Sequence, residues 1–183
     1  MNYKKEKQYR LPGYDYSSPG NYFITINTKD KIEFFGEIVD GEMVLNETGK
    51  IIKEEWLKLK NRFPIELDEF VIMPNHFHGI VFLRGENFVG ECLRGRNLIN
   101  QIPTMFKSKI NNNPMETKDV TLGYVIRYFK GKVSFVIHRS NPRLNFKWQS
   151  RFYDRVVRTE KELSKIRKYI RENPFKWDIE KKI

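Results

Sequence analysis

Cysteine is nearly absent from these 183 residues: Cys92 stands alone, so no internal disulfide can form and a reducing compartment suits the chain. Histidine is almost as scarce. His76, His78 and His138 are the full set, which excludes any Cys/His zinc ribbon or finger. Long apolar runs are missing as well, since the stretches at 70–73 and 79–83 fall far short of the ~20 residues a spanning helix needs. The first twenty residues, MNYKKEKQYRLPGYDYSSPG, are basic and polar with no apolar h-region, so they do not read as a signal peptide. Negative charge is also short: 23 Asp and Glu face 34 Lys and Arg, leaving a net +11. A surplus of that size points to a polyanionic partner, because Lys and Arg gain affinity by releasing counterions from phosphates.

What is present suffices for a core. The chain is 39% hydrophobic and 14% aromatic, and its length fits a single domain over 1–183. Residues 22–27 (YFITIN) follow a Ser-Ser-Pro-Gly turn and read as a strand. Segments 34–39 and 42–45 flank Asp40-Gly41, a hairpin-turn dipeptide, and should pair antiparallel. Ile51, Ile52, Trp56, Leu57 and Leu59 have helical spacing in a segment starting near Thr48-Gly49 and stopped by Pro64. Residues 65–73 and 77–83 read as two strands joined at Met73-Pro74-Asn75. Residues 84–119 show no sustained period and read as a long mobile loop. A helix follows over 121–135, then a basic, aromatic segment over 137–158. The last helix opens at Thr159 with a capping box and should end at Asn173-Pro174. This order predicts an α+β fold: an antiparallel sheet with helices packed on one face.

The sharpest local feature is His76-Phe77-His78. On a strand the two imidazoles share a face, about 7 Å apart along the chain, while Phe77 points into the opposite layer. Such a pair can converge on one divalent metal, though taken alone it fits two surface histidines as well. In the last helix Tyr169 and Asn173 stand at i, i+4 on the flank of an apolar stripe of Leu163, Ile166 and Ile170. Read singly, Tyr169 is a packing residue with a wet hydroxyl and Asn173 a helix-ending asparagine.

Taken together, these motifs resemble the single-tyrosine HUH transposases of bacterial mobile elements, and most closely the REP-associated tyrosine transposases. The resemblance runs through Arg10-Leu11-Pro12-Gly13-Tyr14-Asp15-Tyr16, Tyr22-Phe23-Ile24-Thr25 and Met73-Pro74-Asn75-His76-Phe77-His78. It resumes at Phe129-Lys130, Trp148-Gln149, Phe152-Tyr153-Asp154, and Tyr169-Ile170 followed by Asn173-Pro174. It implies a ferredoxin- or RRM-like antiparallel sheet of the HUH endonuclease type. It further implies His76 and His78 as catalytic metal ligands, Asn173 as the third ligand and Tyr169 as the nucleophile. The implied activity is cutting and rejoining of single-stranded DNA beside imperfect palindromic hairpins through a 5′-phosphotyrosine. The implied cofactor is a divalent Mg²⁺ or Mn²⁺, with no nucleotide cofactor. A cytoplasmic, nucleoid-associated protein follows, with monomer and homodimer both open.

Arg139, Arg143, Arg151, Arg155 and Arg158, interleaved with Trp148 and other aromatics and with Gln149, suit backbone tracking plus base stacking. Lys130 belongs to the same stretch, and the basic region at 137–183 is expected to contact DNA. Arg10 and Tyr14 are the N-terminal candidates for reading a short single-stranded tag. Tyr153 is the rival nucleophile. The competing readings bury Trp148 and Phe152 in the core, or make the whole domain a catalytically silent hairpin-DNA- or RNA-binding module.

Overall fold

The computed structural model describes residues 13–84 and 120–181. Along them run β1 (Gly20–Asn27), β2 (Gly36–Val39), β3 (Glu42–Leu45), α1 (Glu47–Lys58), β4 (Ile65–Met73) and β5 (His76–Leu83). After residue 119 come α2 (Leu122–Ser140), β6 (Tyr153–Val157) and α3 (Glu160–Lys181). The loop expected at 84–119 lies, Arg84 apart, outside the described residues, as does Arg10.

Strands β4, β5, β1 and β6 form one sheet in that order, each pair antiparallel. The core succession β1-α1-β4-β5-α2-β6 is the split βαβ pattern of ferredoxin-like folds. The β2–β3 hairpin is inserted after β1, and α3 is appended at the end. The α+β expectation and its antiparallel sheet are thus met.

Alternation along the strands decides what each face meets. Tyr22, Ile24 and Ile26 of β1 and Phe77 and Val81 of β5 are buried against Trp56 of α1 and Val125, Ile126 and Phe129 of α2. Trp56 sits with its ring centroid 4.5 Å from Phe77 and 5.3 Å from Phe129. Each such ring contributes ~1.5–3 kcal/mol by leaving water, so this layer is the main source of stability. Helices α1 and α2 gather on that one face. Helix α3 lies across the other, where Leu163, Ile166 and Ile170 cover Phe23, Ile80 and Val157.

Local chemistry sets the turns. Asp40 (φ 52°) and Gly41 (φ 78°) both take left-handed backbone, the requirement of the two-residue hairpin turn their sequence announces. Asn46 caps α1, its side-chain oxygen accepting from the Gly49 N–H. Thr159 accepts from the Glu162 N–H while Glu162 reaches back to the Arg158 N–H, which opens α3.

Three expectations need correction. Residues 153–157 are a strand, β6, inside the stretch read only as basic and aromatic; its alternation of exposed Tyr153 and Arg155 with buried Asp154 and Val156 is too short to announce itself. Helix α2 runs past 135 to Ser140. Helix α3 passes through Pro174 instead of stopping there. The proline removes the donor for the Ile170 carbonyl, but the turn beyond it is held from outside. Phe175 lies against Gly41 of the hairpin turn, and Trp177 lies against His76 with ring centroids 5.5 Å apart.

Candidate active site

Strand β5 carries the two histidines on the face away from the aromatic core. His78 stands opposite Thr25 of β1 and Val71 of β4; His76 stands opposite Asn27 and Met73. Between them Phe77 is fully buried in the other layer, anchoring the strand from behind. Gly79 completes the anchor. A Cβ there would come within 2.8 Å of both the Phe77 and Trp56 rings, so only glycine lets β5 lie this close to α1.

Each imidazole is tethered by Nδ1. His76 Nδ1 lies 2.8 Å from Asn75 Oδ1, and Asn75 is itself oriented by donating from Nδ2 to the Lys31 carbonyl. An amide oxygen only accepts, so His76 donates from Nδ1 and its Nε2 carries the lone pair. His78 Nδ1 lies 2.8 Å from Thr25 Oγ1. The Asn75 carbonyl in turn accepts from the Thr28 N–H and hydroxyl, and the Pro74 carbonyl from the N–H groups of Phe34 and Phe35. The Pro-Asn turn before His76 is thereby bolted to the β1–β2 connection.

Helix α3 brings the other two groups. Tyr169 Oη lies 3.4 Å from His78 Nε2, with the two rings 5.3 Å apart. Phe23 backs both, stacked on His78 at 5.4 Å and edge-on to Tyr169 at 6.1 Å. Asn173 is buried and hydrogen-bonded to His76. The sequence separates residues 76–78 from 169–173, and the fold joins them in one cluster: His76 and His78 lie 4.7 Å apart, centroid to centroid. Tyr169 remains 40% exposed.

Burial pushes the His76 imidazole down to about 4, a shift that the Asn173 hydrogen bond opposes and the Lys31 charge reinforces. Burial and the neighbouring His76 push His78 down to about 3, against a hydrogen bond with the Ile24 backbone. Both rings are neutral at pH 7. Two neutral imidazoles with their second nitrogens tied to oxygens are the donor set that late divalent metals favour. Among the described residues no three His, Cys, Asp or Glu side chains come together. The Asn173 amide is the polar side chain that α3 sets beside His76. This donor set fits a divalent ion.

No family model matches the chain. A protein of Haemophilus influenzae, described only as uncharacterized, is 37% identical over 170 residues, covering 92% of this chain and 88% of its own. The chain belongs to the family of that Haemophilus protein. Among solved structures, a REP-associated tyrosine transposase bound to a REP hairpin superposes with a TM-score of 0.56. It is 18% identical, and the match covers 91% of this chain and 73% of that one. The fold of this family is therefore shared with that transposase.

The residues expected at a nucleic-acid interface divide in two. Arg139, Arg143, Gln149, Arg151, Arg155 and Arg158 are exposed. Arg155 lies on the histidine face, opposite Phe23, and pairs with Glu162. Tyr14, Lys130 and Trp148 are placed otherwise. Tyr14 packs edge-on to Tyr16 at 5.1 Å and lies 3.4 Å from the Tyr22 hydroxyl. Lys130 donates to the carbonyls of Gln149 and Ser150, and burial lowers its pKa. Trp148 packs against Phe35 and Phe146 and donates from Nε1 to the Lys130 carbonyl. These three hold the chain together, as the burial reading of Trp148 foresaw.

Tyr153 takes neither helix face nor core. It stands in β6 opposite Thr25, so Tyr153, Thr25 and His78 form one row across three strands. Sequence reading gave no role to Thr25, whose place beside His78 depends on cross-strand register. The supports from Asn75 and Trp177 were also missed; only Asn75, next to a histidine, carried any signal.

Proposed function

We propose that the protein is a metal-dependent single-stranded DNA endonuclease and strand-transfer enzyme that cuts beside palindromic hairpins through a 5′-phosphotyrosine. The observation that carries this reading is the meeting of Tyr169, His76, His78 and Asn173 on one face of the sheet. The fold shared with a transposase bound to a REP hairpin, and the +11 charge, support DNA as the substrate.

His76, His78 and Asn173 would hold Mg²⁺ or Mn²⁺, supplying Lewis-acid stabilisation of charge on the scissile phosphate. The chain's own groups do the rest. Tyr169 Oη gives its proton to solvent water as it attacks phosphorus; the bond from phosphorus to the 3′ oxygen breaks, and that oxygen takes a proton from water and leaves as a hydroxyl. The phosphate ester on Tyr169 keeps the bond energy for rejoining, so no nucleotide cofactor enters. A neutral phenol is a weak nucleophile, and orientation is what this site offers Tyr169. Phe23 and His78 fix the Tyr169 ring, the tethers on Asn75 and Thr25 fix the imidazoles, and Tyr153 and Arg155 extend the same face toward the edge strand. An exposed ring beside an arginine suits a stacked base and its phosphate.

Incubation of the full chain with labelled single-stranded hairpin DNA and Mn²⁺ tests the proposal on a denaturing gel. A covalent protein–DNA band is expected, absent from Tyr169→Phe while that variant still binds the DNA. Cutting that survives Tyr169→Phe removes the tyrosine from the reaction.

A further inference from the structure

Helix α3 has two polar flanks, and the reaction uses only one. At about 100° per residue, the buried stripe of Leu163, Ile166 and Ile170 separates Tyr169 and Asn173 on one side from Arg167 and Arg171 on the other. Arg167 and Arg171 are each two residues from Tyr169 in sequence but roughly 160° from it around the axis. Both reach β4. Arg167 grips Asp68 with its fork, Nε at 3.2 and 3.1 Å from the two carboxylate oxygens and Nη2 at 2.7 Å from Oδ2. Its Nη1 also meets Glu160 at 3.2 Å, and Arg171 Nη1 meets Glu69 at 2.8 Å.

The two carboxylates come from a break in β4. The pairing of β4 with β5 shifts register between Leu67 and Phe70, so Asp68 and Glu69 fall outside the regular ladder. Bulges of this kind re-aim side chains, and here adjacent acids face two arginines one helical turn apart. A bidentate arginine–carboxylate pair fixes angle as well as distance. A grip on one flank therefore limits how far the helix can roll on its apolar stripe, and roll is the motion that would carry Tyr169 Oη away from His78 on the other flank.

We propose that the Asp68–Arg167 pair, seconded by Glu69–Arg171, is a positioning clamp that sets the rotation of α3 and with it the placement of Tyr169. This rests on the nuclease reading above. The clamp arginines project from the flank of α3 away from Tyr169, and the clamp acts through the helix.

The test uses the full chain with Asp68→Asn, Arg167→Gln, their double variant and the milder Arg167→Lys. With hairpin DNA and Mn²⁺, the rate constant of adduct formation at saturating DNA should fall about tenfold in either single variant, the scale of a small misplacement of a reacting group. DNA affinity and the final fraction of adduct should stay within about twofold of the parent, and the double variant should be no slower than the worse single one. Arg167→Lys should fall between. A purely structural pair would lower the adduct-forming fraction and leave the rate constant of the folded molecules alone. Unchanged rate constants in Asp68→Asn and Arg167→Gln overturn the clamp. A second readout needs no turnover: the His78 ring-proton resonance, which senses the Tyr169 ring 5.3 Å away, should move in Asp68→Asn and not in a distant surface variant. If the parent forms no adduct, the nuclease reading fails and this resonance alone decides whether the pair positions Tyr169.

Discussion

The two faces of one strand, β5, have opposite chemistry. Phe77 and Val81 point into a layer closed by α1 and α2, where Phe77 is fully buried among the rings of Trp56, Phe70 and Phe129. His76 and His78 point the other way, under α3, among Asn75, Thr25, Tyr169 and Asn173. One face is covered by two helices and keeps the sheet in place. The other is covered by one helix that leaves Tyr169 and Tyr153 each 40% exposed. A polar cluster under one helix, set behind an apolar layer, is how a small domain can hold several polar groups in register apart from its main core.

Substitutions on the two sides should therefore fail differently. Phe77→Ala empties the centre of the Trp56–Phe129 cluster and should cost ~3–5 kcal/mol of stability, measured by urea unfolding. His78→Ala and His76→Ala should cost no more than ~1–2 kcal/mol by the same measurement, while slowing adduct formation by about 100-fold or more. If His78→Ala unfolds the protein as readily as Phe77→Ala, the contrast between the faces collapses.

The edge strand sharpens the comparison. Arg155 lies on the histidine face, so Arg155→Gln should weaken single-stranded DNA binding a few-fold and reduce the salt slope of log K by about 0.7. Trp148→Phe, within the closed layer, should move the unfolding midpoint and leave the salt slope alone. Equal salt slopes for parent and Arg155→Gln would place the DNA elsewhere.

The smallest effect concerns pH. Burial would raise the Asp68 carboxyl, but hydrogen bonds from Arg167 and the Glu69 N–H, with the arginine charges, hold it below its ordinary 3.8. A lowered folded-state pKa stabilises above the unfolded value, and that contribution is lost as pH falls through the folded one. Asp68→Asn should thus flatten the acid limb of the stability curve below pH ~4 and leave stability between pH 6 and 8 less pH-sensitive than that limb. An acid limb identical to the parent's would show that the pair adds nothing to folding.

Much of this arrangement was legible in the residues. The period-2 placement of His76, Phe77 and His78 put the histidines on one face, and Asp40-Gly41 announced its hairpin. The i, i+4 pairing of Tyr169 and Asn173 put both on one flank of α3. What stayed hidden depends on contacts distant in sequence. Thr25 meets His78 only through strand register, and Asp68 meets Arg167 only because β4 bulges and α3 crosses it. Trp148 reads equally well as a stacking platform or a core ring until Phe35 and Phe146 are seen around it. Pro174 looks like a stop signal because nothing local shows Phe175 and Trp177 gripping the hairpin and His76 beyond it.

Among the described residues two tyrosines share the histidine face, and Tyr169 is the one that stands against His78 Nε2. The most direct measurement is therefore to trap the protein–DNA adduct, digest it with protease and nuclease, and locate the nucleotide by mass spectrometry. The nucleotide is expected on the peptide carrying Tyr169. Its appearance on Tyr153, or on no tyrosine at all, would contradict the site described above.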